Sequence, residues 1–105
     1  RGIAKYDLED YQGAIADLNN AIEIDPKDSI AYHLRGYAKV NLEDLQGSID
    51  DWSKAIDINP QDSEAYRNRG ASKELANDLE GACQDWRKSA DLGFKKAAEW
   101  VTNQC

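Results

Sequence analysis

Apolar side chains in this chain recur at helical spacing, and the stripes they form recur in turn along the sequence. Leu45, Ser48, Ile49, Trp52, Ala55 and Ile56 fall at i, i+3, i+4, i+7, i+10 and i+11, apolar or small at every step. Residues three or four apart share one face of an α-helix, so these six predict a helix opened by Asp44 and stopped near Ile58 by Asn59-Pro60. The same slots hold Tyr11, Ala14, Ile15, Leu18, Ala21 and Ile22 earlier, and Leu79, Ala82, Cys83, Trp86, Ser89 and Ala90 later. A second helix precedes the Leu45 stripe, with Asp28-Ser29 as its N-cap, an end near Leu42 and a turn at Glu43-Asp44. Beyond Leu92-Gly93-Phe94, Ala97, Ala98, Trp100 and Val101 predict one more amphipathic helix, and Gly93 suits the end of the one before it.

The period is constant. Gly2, Gly36 and Gly70 stand 34 residues apart, and the text around them repeats: RGIAKYDLED, RGYAKVNLED and RGASKELAND. A fixed period of this length identifies helical pairs that cannot bury their apolar faces alone and do so by stacking on their neighbours. A glycine inside a helix costs about 1 kcal/mol relative to alanine, so its return at one phase predicts a close helix crossing. Leu18, Trp52 and Trp86 then fill the space between helices, with Ala21, Ala55 and Ser89 allowing the approach. Pro26 and Pro60 fall only at helix exits.

On these residues the chain resembles the tetratricopeptide repeat. Tyr32, Tyr66 and Trp100 occupy the slot of that repeat's first aromatic, and the three glycines occupy its glycine slot. Ala14, Ser48 and Ala82, then Ala21, Ala55 and Ser89, match its small positions; Trp52, Trp86 and the substitute Leu18 match its second aromatic. Pro26 and Pro60 match its stop, and Phe94 departs from it. The resemblance implies an all-α, right-handed α-solenoid of helix-turn-helix repeats. The expected division is a partial first repeat at 1–28, full repeats at 29–62 and 63–96, and a terminal helix at 97–105 resembling the start of a fourth. The chain opens inside its own repeat, as a piece of a longer array would.

Two further departures carry charge. Arg1, Arg35 and Arg69 stand where the family usually has Leu, Lys5, Lys39 and Lys73 where it usually has Tyr, and each copy keeps an acid at Asp17, Asp51 or Asp85. A partly buried guanidinium needs a partner and its fork fits a carboxylate, so each Arg is expected to meet an Asp between the helices. The alternative is a solvated face of i, i+4 pairs such as Lys39 with Glu43.

In that family the first helix of each repeat lines a concave groove, so the resemblance implies a non-catalytic protein-binding scaffold. Carried over residue by residue, the groove residues are Tyr6, His33, Tyr37, Val40, Asn41, Arg67, Asn68 and Glu74, with Tyr6 and Tyr37 the strongest anchors. Some members grip a C-terminal carboxylate with Lys, Asn and Arg. Here His33 and Tyr37 stand where a Lys and an Asn would, and only Asn68 fits, so that clamp is not expected. A peptide with apolar anchors is expected instead, hydrogen-bonded by Arg67 and Asn68. The alternative is head-to-tail self-assembly, in which one molecule's tail completes the next molecule's first repeat to give a homo-oligomer.

Composition narrows the partner to a protein or peptide. The net charge is −7 and the pI about 4.6. That balance repels phosphates, which argues against nucleic acid and an anionic membrane alike. No apolar run reaches the ~18 residues of a transmembrane helix. Catalysis has little support, because the repeat places no Cys or Ser beside the single histidine, His33; no cofactor is implied. Cys83, Cys105 and His33 lack metal-ligand spacing, so no metal is expected. The two cysteines are too few for a disulfide framework, and Cys83, in the slot of Ile15 and Ile49, reads as a small buried apolar side chain. The redox state of Cys105 stays open.

Overall fold

A computed structural model describes residues 10–105, so the sequence readings that involve Arg1, Gly2, Lys5 and Tyr6 lie outside the described residues. Six helices and no strand make up the described residues: α1 (Tyr11–Ile24), α2 (Ser29–Asn41), α3 (Leu45–Ile58), α4 (Ser63–Leu75), α5 (Leu79–Asp91) and α6 (Lys96–Gln104). Each packs chiefly on its neighbours in sequence, giving an α-solenoid about 39 × 24 × 20 Å in extent.

Local chemistry sets the boundaries. Asp10, Asp28, Asp44, Asp62 and Asp78 begin α1 to α5, and each carboxylate accepts the backbone N–H three residues on. Such a cap satisfies an N–H that the helix leaves unpaired, worth about 1 kcal/mol. Helix α6 has no side-chain cap. Three helices end in a 6→1 and 5→2 pair of carbonyl closures. Behind α2, the Glu43 N–H donates to Val40 O (2.9 Å) and the Asp44 N–H to Lys39 O (2.8 Å). Asn77 with Asp78, and Gly93 with Phe94, repeat the pattern. The closure needs a left-handed residue, and Glu43 (φ 63°), Asn77 (φ 68°) and Gly93 (φ 118°) supply it.

One core cluster joins Tyr32, Trp52, Ala55, Ile56 and Ala65, and a second joins Ala82, Trp86 and Ala97. The glycine crossings are as close as the sequence implies. A Cβ on Gly36 would lie 2.9 Å from Trp52 Cε2, and one on Gly70 would lie 2.6 Å from Trp86 Nε1. Gly36→Ala is therefore expected to destabilise by about 1 kcal/mol, because an overpacking penalty of ~1–3 kcal/mol outweighs a helix-propensity gain of ~1 kcal/mol. Urea unfolding measures the balance, and a more stable variant would show that Trp52 moves aside freely.

The repeated Arg–Asp pairs form between the two helices of a pair. Arg35 Nε and Nη2 reach the Asp51 carboxylate at 3.0 and 2.6 Å, and Lys39 Nζ lies 3.2 Å from it. Arg69 and Lys73 repeat the arrangement on Asp85 at 2.9, 2.8 and 3.1 Å. Each guanidinium also bonds the preceding helical pair, Arg35 through Asn19 and Arg69 through Ser53. The Asp51 hydrogen bond raises the Arg35 pKa against a smaller opposing effect of burial. For Arg69 burial is the largest single influence and lowers it, but the hydrogen bond and charge of Asp85 together turn the net shift upward.

One reading needs correction. Cys83 is buried as expected, yet it is not merely an apolar filler: it is bonded to Cys105, 22 positions further along the chain, with Cα atoms 6.1 Å apart. Two cysteines make no framework, but these two tie the end of α6 to α5. The pairing escaped the repeat pattern because Cys83 occupies an ordinary apolar slot.

Candidate functional site

Polar side chains on the first helices of successive pairs, α2 and α4, are joined to one another. The Tyr37 hydroxyl accepts from Asn68 Nδ2 at 2.7 Å and donates to Glu64 Oε1 at 3.1 Å. Arg67 Nε donates to Asn68 Oδ1 at 3.4 Å, and Arg67 Nη2 lies 3.8 Å from Glu64. The Tyr37 ring meets the Trp52 ring edge-on, with centroids 5.4 Å apart. Burial raises the Tyr37 pKa; the Asn68 hydrogen bond opposes this, and the Glu64 charge adds to it. The phenol is therefore held neutral, as donor and acceptor together.

His33 is built into the same face. Its Nδ1 accepts from Trp52 Nε1 at 3.2 Å and its Nε2 contacts Asp62 Oδ2 at 2.6 Å. The indole can only donate, so Nδ1 carries the lone pair and Nε2 the proton that Asp62 accepts. Both ring nitrogens are thus hydrogen-bonded within the protein. Asp62 also caps α4, so this contact fixes the start of one helical pair against the middle of the one before it.

The other sequence-chosen residues divide. Val40 is half-buried and, with Glu43, Leu45 and the exposed Leu75, lines a hollow of about 460 Å³. Glu74, Ala71, Trp86, Trp100 and Gln104 line a second of about 270 Å³ between α4 and α6. Asn41 is exposed and turns its amide back onto the Tyr37 carbonyl at 2.9 Å. Arg67 and Asn68, expected to face a ligand, are engaged within the protein: Asn68 is 9% exposed, and the Arg67 guanidinium stacks 4.9 Å above the Phe94 ring. Tyr6 lies outside the described residues. The structure thus brings His33, Tyr37, Arg67 and Asn68 together around Glu64 and Asp62. The role of Asp62 and the stacking of Phe94 were missed; an N-cap Asp signals only its cap, and Phe94 replaces the proline of the repeat. Among the described residues, no group of three or more His, Cys, Asp or Glu is placed to hold a metal ion, and no helix is long and apolar enough to cross a membrane.

Family comparison agrees with this architecture. The descriptions "TPR repeat" and "Tetratricopeptide repeat" match residues 2–42 and 30–62. The chain belongs to the tetratricopeptide repeat family. No curated protein matches it in sequence. Among solved structures, the tetratricopeptide repeat domain of Arabidopsis OM64 superposes with a TM-score of 0.90 at 24% identity, over 100% of this chain and 91% of that one. The second such domain of human RPAP3, in complex with the HSP70 peptide SGPTIEEVD, gives 0.89 at 23% identity over 97% and 87%. MamA gives 0.89 at 22% identity over 95% of this chain and 60% of its own length. At these identities the likeness shows the fold. Within that fold, this array carries paired Arg and Lys around a buried Asp and the Cys83–Cys105 bond.

Proposed function

We propose that this array is a non-catalytic scaffold that binds a protein segment along the face formed by α2, α4 and α6. The observation that carries the reading is the Tyr37–Asn68–Glu64 network, whose hydrogen bonds run between two first helices and hold them as one ordered surface. A surface ordered in advance leaves less entropy to be lost on binding. The hollow beside Val40 and Leu75 accepts an apolar side chain, and Tyr37, three residues before Val40 on α2, offers a ring and a polar tip.

The chemistry favours a neutral or basic segment with apolar anchors. Glu43, Glu64 and Glu74 border the face, the chain carries −7, and Arg67 is turned onto Phe94. Two solved neighbours hold chaperone peptides, one being the first such domain of Spaghetti (RPAP3) with the HSP90 peptide SRMEEVD. For this chain an acidic tail of that kind is disfavoured, since His33 and Tyr37 replace the clamp's Lys and Asn and are hydrogen-bonded internally. Selection from a random peptide library, read by fluorescence polarisation, tests the reading. Selected peptides should carry apolar anchors and bind Tyr37→Ala about tenfold or more weakly, and SRMEEVD should bind no better than its scramble. Unchanged affinity in Tyr37→Ala would move the site elsewhere.

Head-to-tail assembly is the second reading. It is less favoured because the tail helix already packs in cis, with Ala97, Trp100 and Val101 against the Trp86 cluster and Cys105 bonded to Cys83.

A further inference from the structure

Helix α6 is held differently from the other described helices. It has nine residues and no side-chain N-cap, and Ala97 is its only fully buried residue. Its apolar hold on the array is Ala97, the half-buried Val101, and Trp100, whose ring meets Trp86 and Phe94 edge-on at 5.5 Å. Trp86 is 3% exposed, and its indole N–H, alone among the buried side-chain polar atoms described, has no hydrogen-bond acceptor within the protein. In the equivalent place His33 accepts the Trp52 proton, but the third copy carries Arg67 there, which has no acceptor. That N–H lies against α4, where a Cβ on Gly70 would come within 2.6 Å of it, and the ring it belongs to meets Trp100 of α6.

We propose that the Cys83–Cys105 bond is a redox latch on this helix: oxidised, it keeps α6 docked; reduced, α6 leaves and uncovers Trp86. The bond is accessible. Cys105 is exposed, and the two cysteines border a surface hollow of about 330 Å³ with Leu79, Gln84, Arg87 and Gln104. The reductant is a dithiol. One of its thiolates attacks Cys105 Sγ, the Cys83–Cys105 bond breaks, and its electron pair leaves on Cys83, which takes a proton. The reductant's second thiol then attacks its own sulfur in the mixed disulfide and releases Cys105. Two electrons and two protons have passed to the cysteines, and the reductant leaves as a cyclic disulfide. Because Trp100 and Gln104 form one wall of the 270 Å³ hollow, the latch also sets how far the binding face extends past α4; this consequence alone rests on the proposed groove.

Hydrogen exchange on the full chain tests the latch, with no peptide present, so that failure of the groove reading leaves it standing. A closed loop of 22 residues corresponds to about a hundredfold in the docking equilibrium. On moving from oxidised to reduced dithiol buffer, the α6 amides are expected to exchange about a hundredfold faster while those of α2 to α4 keep their rates. Tryptophan emission should shift to the red, and Cys105→Ser should behave as the reduced form in either buffer. Unchanged α6 protection after reduction or in Cys105→Ser would overturn the proposal, making the bond a redundant staple. Equal loss of protection in α2 to α4 would overturn it as well, since the bond would then hold the whole array.

Discussion

Asp51→Ala lowers the unfolding free energy by about 3 kcal/mol, whereas Asp50→Ala, one residue away, changes it by no more than about 0.5 kcal/mol. The two acids sit on the same helix with opposite fates: Asp51 is 2% exposed and Asp50 lies in solvent. Asp51 receives Arg35 through both carboxylate oxygens and Lys39 through one. Deleting it leaves two cations facing each other in the space between α2 and α3 with nothing to neutralise them. Removing one partner of a buried pair costs about 3–5 kcal/mol because the charge left behind stays desolvated. Arg35 and Lys39 retain 18% and 20% side-chain exposure, so water softens the penalty and the low end of the range applies. Urea denaturation of both variants at unchanged m-value checks it. Equal, small effects at the two positions would mean that the ion pairs are surface decoration. Adding Arg35→Met to Asp51→Ala should recover part of the loss, since one uncompensated cation is then gone.

These pairs were legible in the sequence because they recur. Arg35 with Asp51 and Arg69 with Asp85 keep one spacing, and a polar pattern that returns with the apolar stripe has to be internal to the repeat. The same periodicity exposed the helices, their Asp caps and the glycine crossings. What it could not show is whatever occurs once. The His33–Asp62–Trp52 contacts span two helical pairs, and the third copy replaces His33 with Arg67, so no second example marks them. The Cys83–Cys105 bond is unique in the same way, hidden in a slot that Ile15 and Ile49 fill with ordinary packing. Arg67 is the sharpest case at the candidate site. Its position on the first helix puts it on the expected groove face, but its guanidinium also stacks on Phe94, the residue where the repeat departs from its own pattern.

The two buried tryptophans should respond in opposite senses to losing a single N–H. Trp52→Ala and Trp86→Ala each cost about 3–5 kcal/mol, since each ring is at most 3% exposed and fills the space against a glycine on the facing helix. Phenylalanine separates packing from hydrogen bonding. Trp52→Phe removes the donor to His33 Nδ1 and strands that nitrogen half-buried, adding about 1–3 kcal/mol to the cost of the smaller ring. Trp86→Phe deletes an N–H that has no acceptor within the protein, and the desolvation penalty relieved offsets the lost volume. Trp86→Phe is therefore expected to stay within about 1 kcal/mol of the parent while Trp52→Phe falls clearly below it, measured by thermal and urea unfolding under oxidising conditions. A Trp86→Phe variant as damaged as Trp52→Phe would mean that the Trp86 N–H has a partner in solution, for instance an ordered water between α4 and α6. Adding His33→Phe to Trp52→Phe closes the cycle: if the indole–imidazole bond is the source of the difference, the second substitution costs less in the Trp52→Phe background than in the parent.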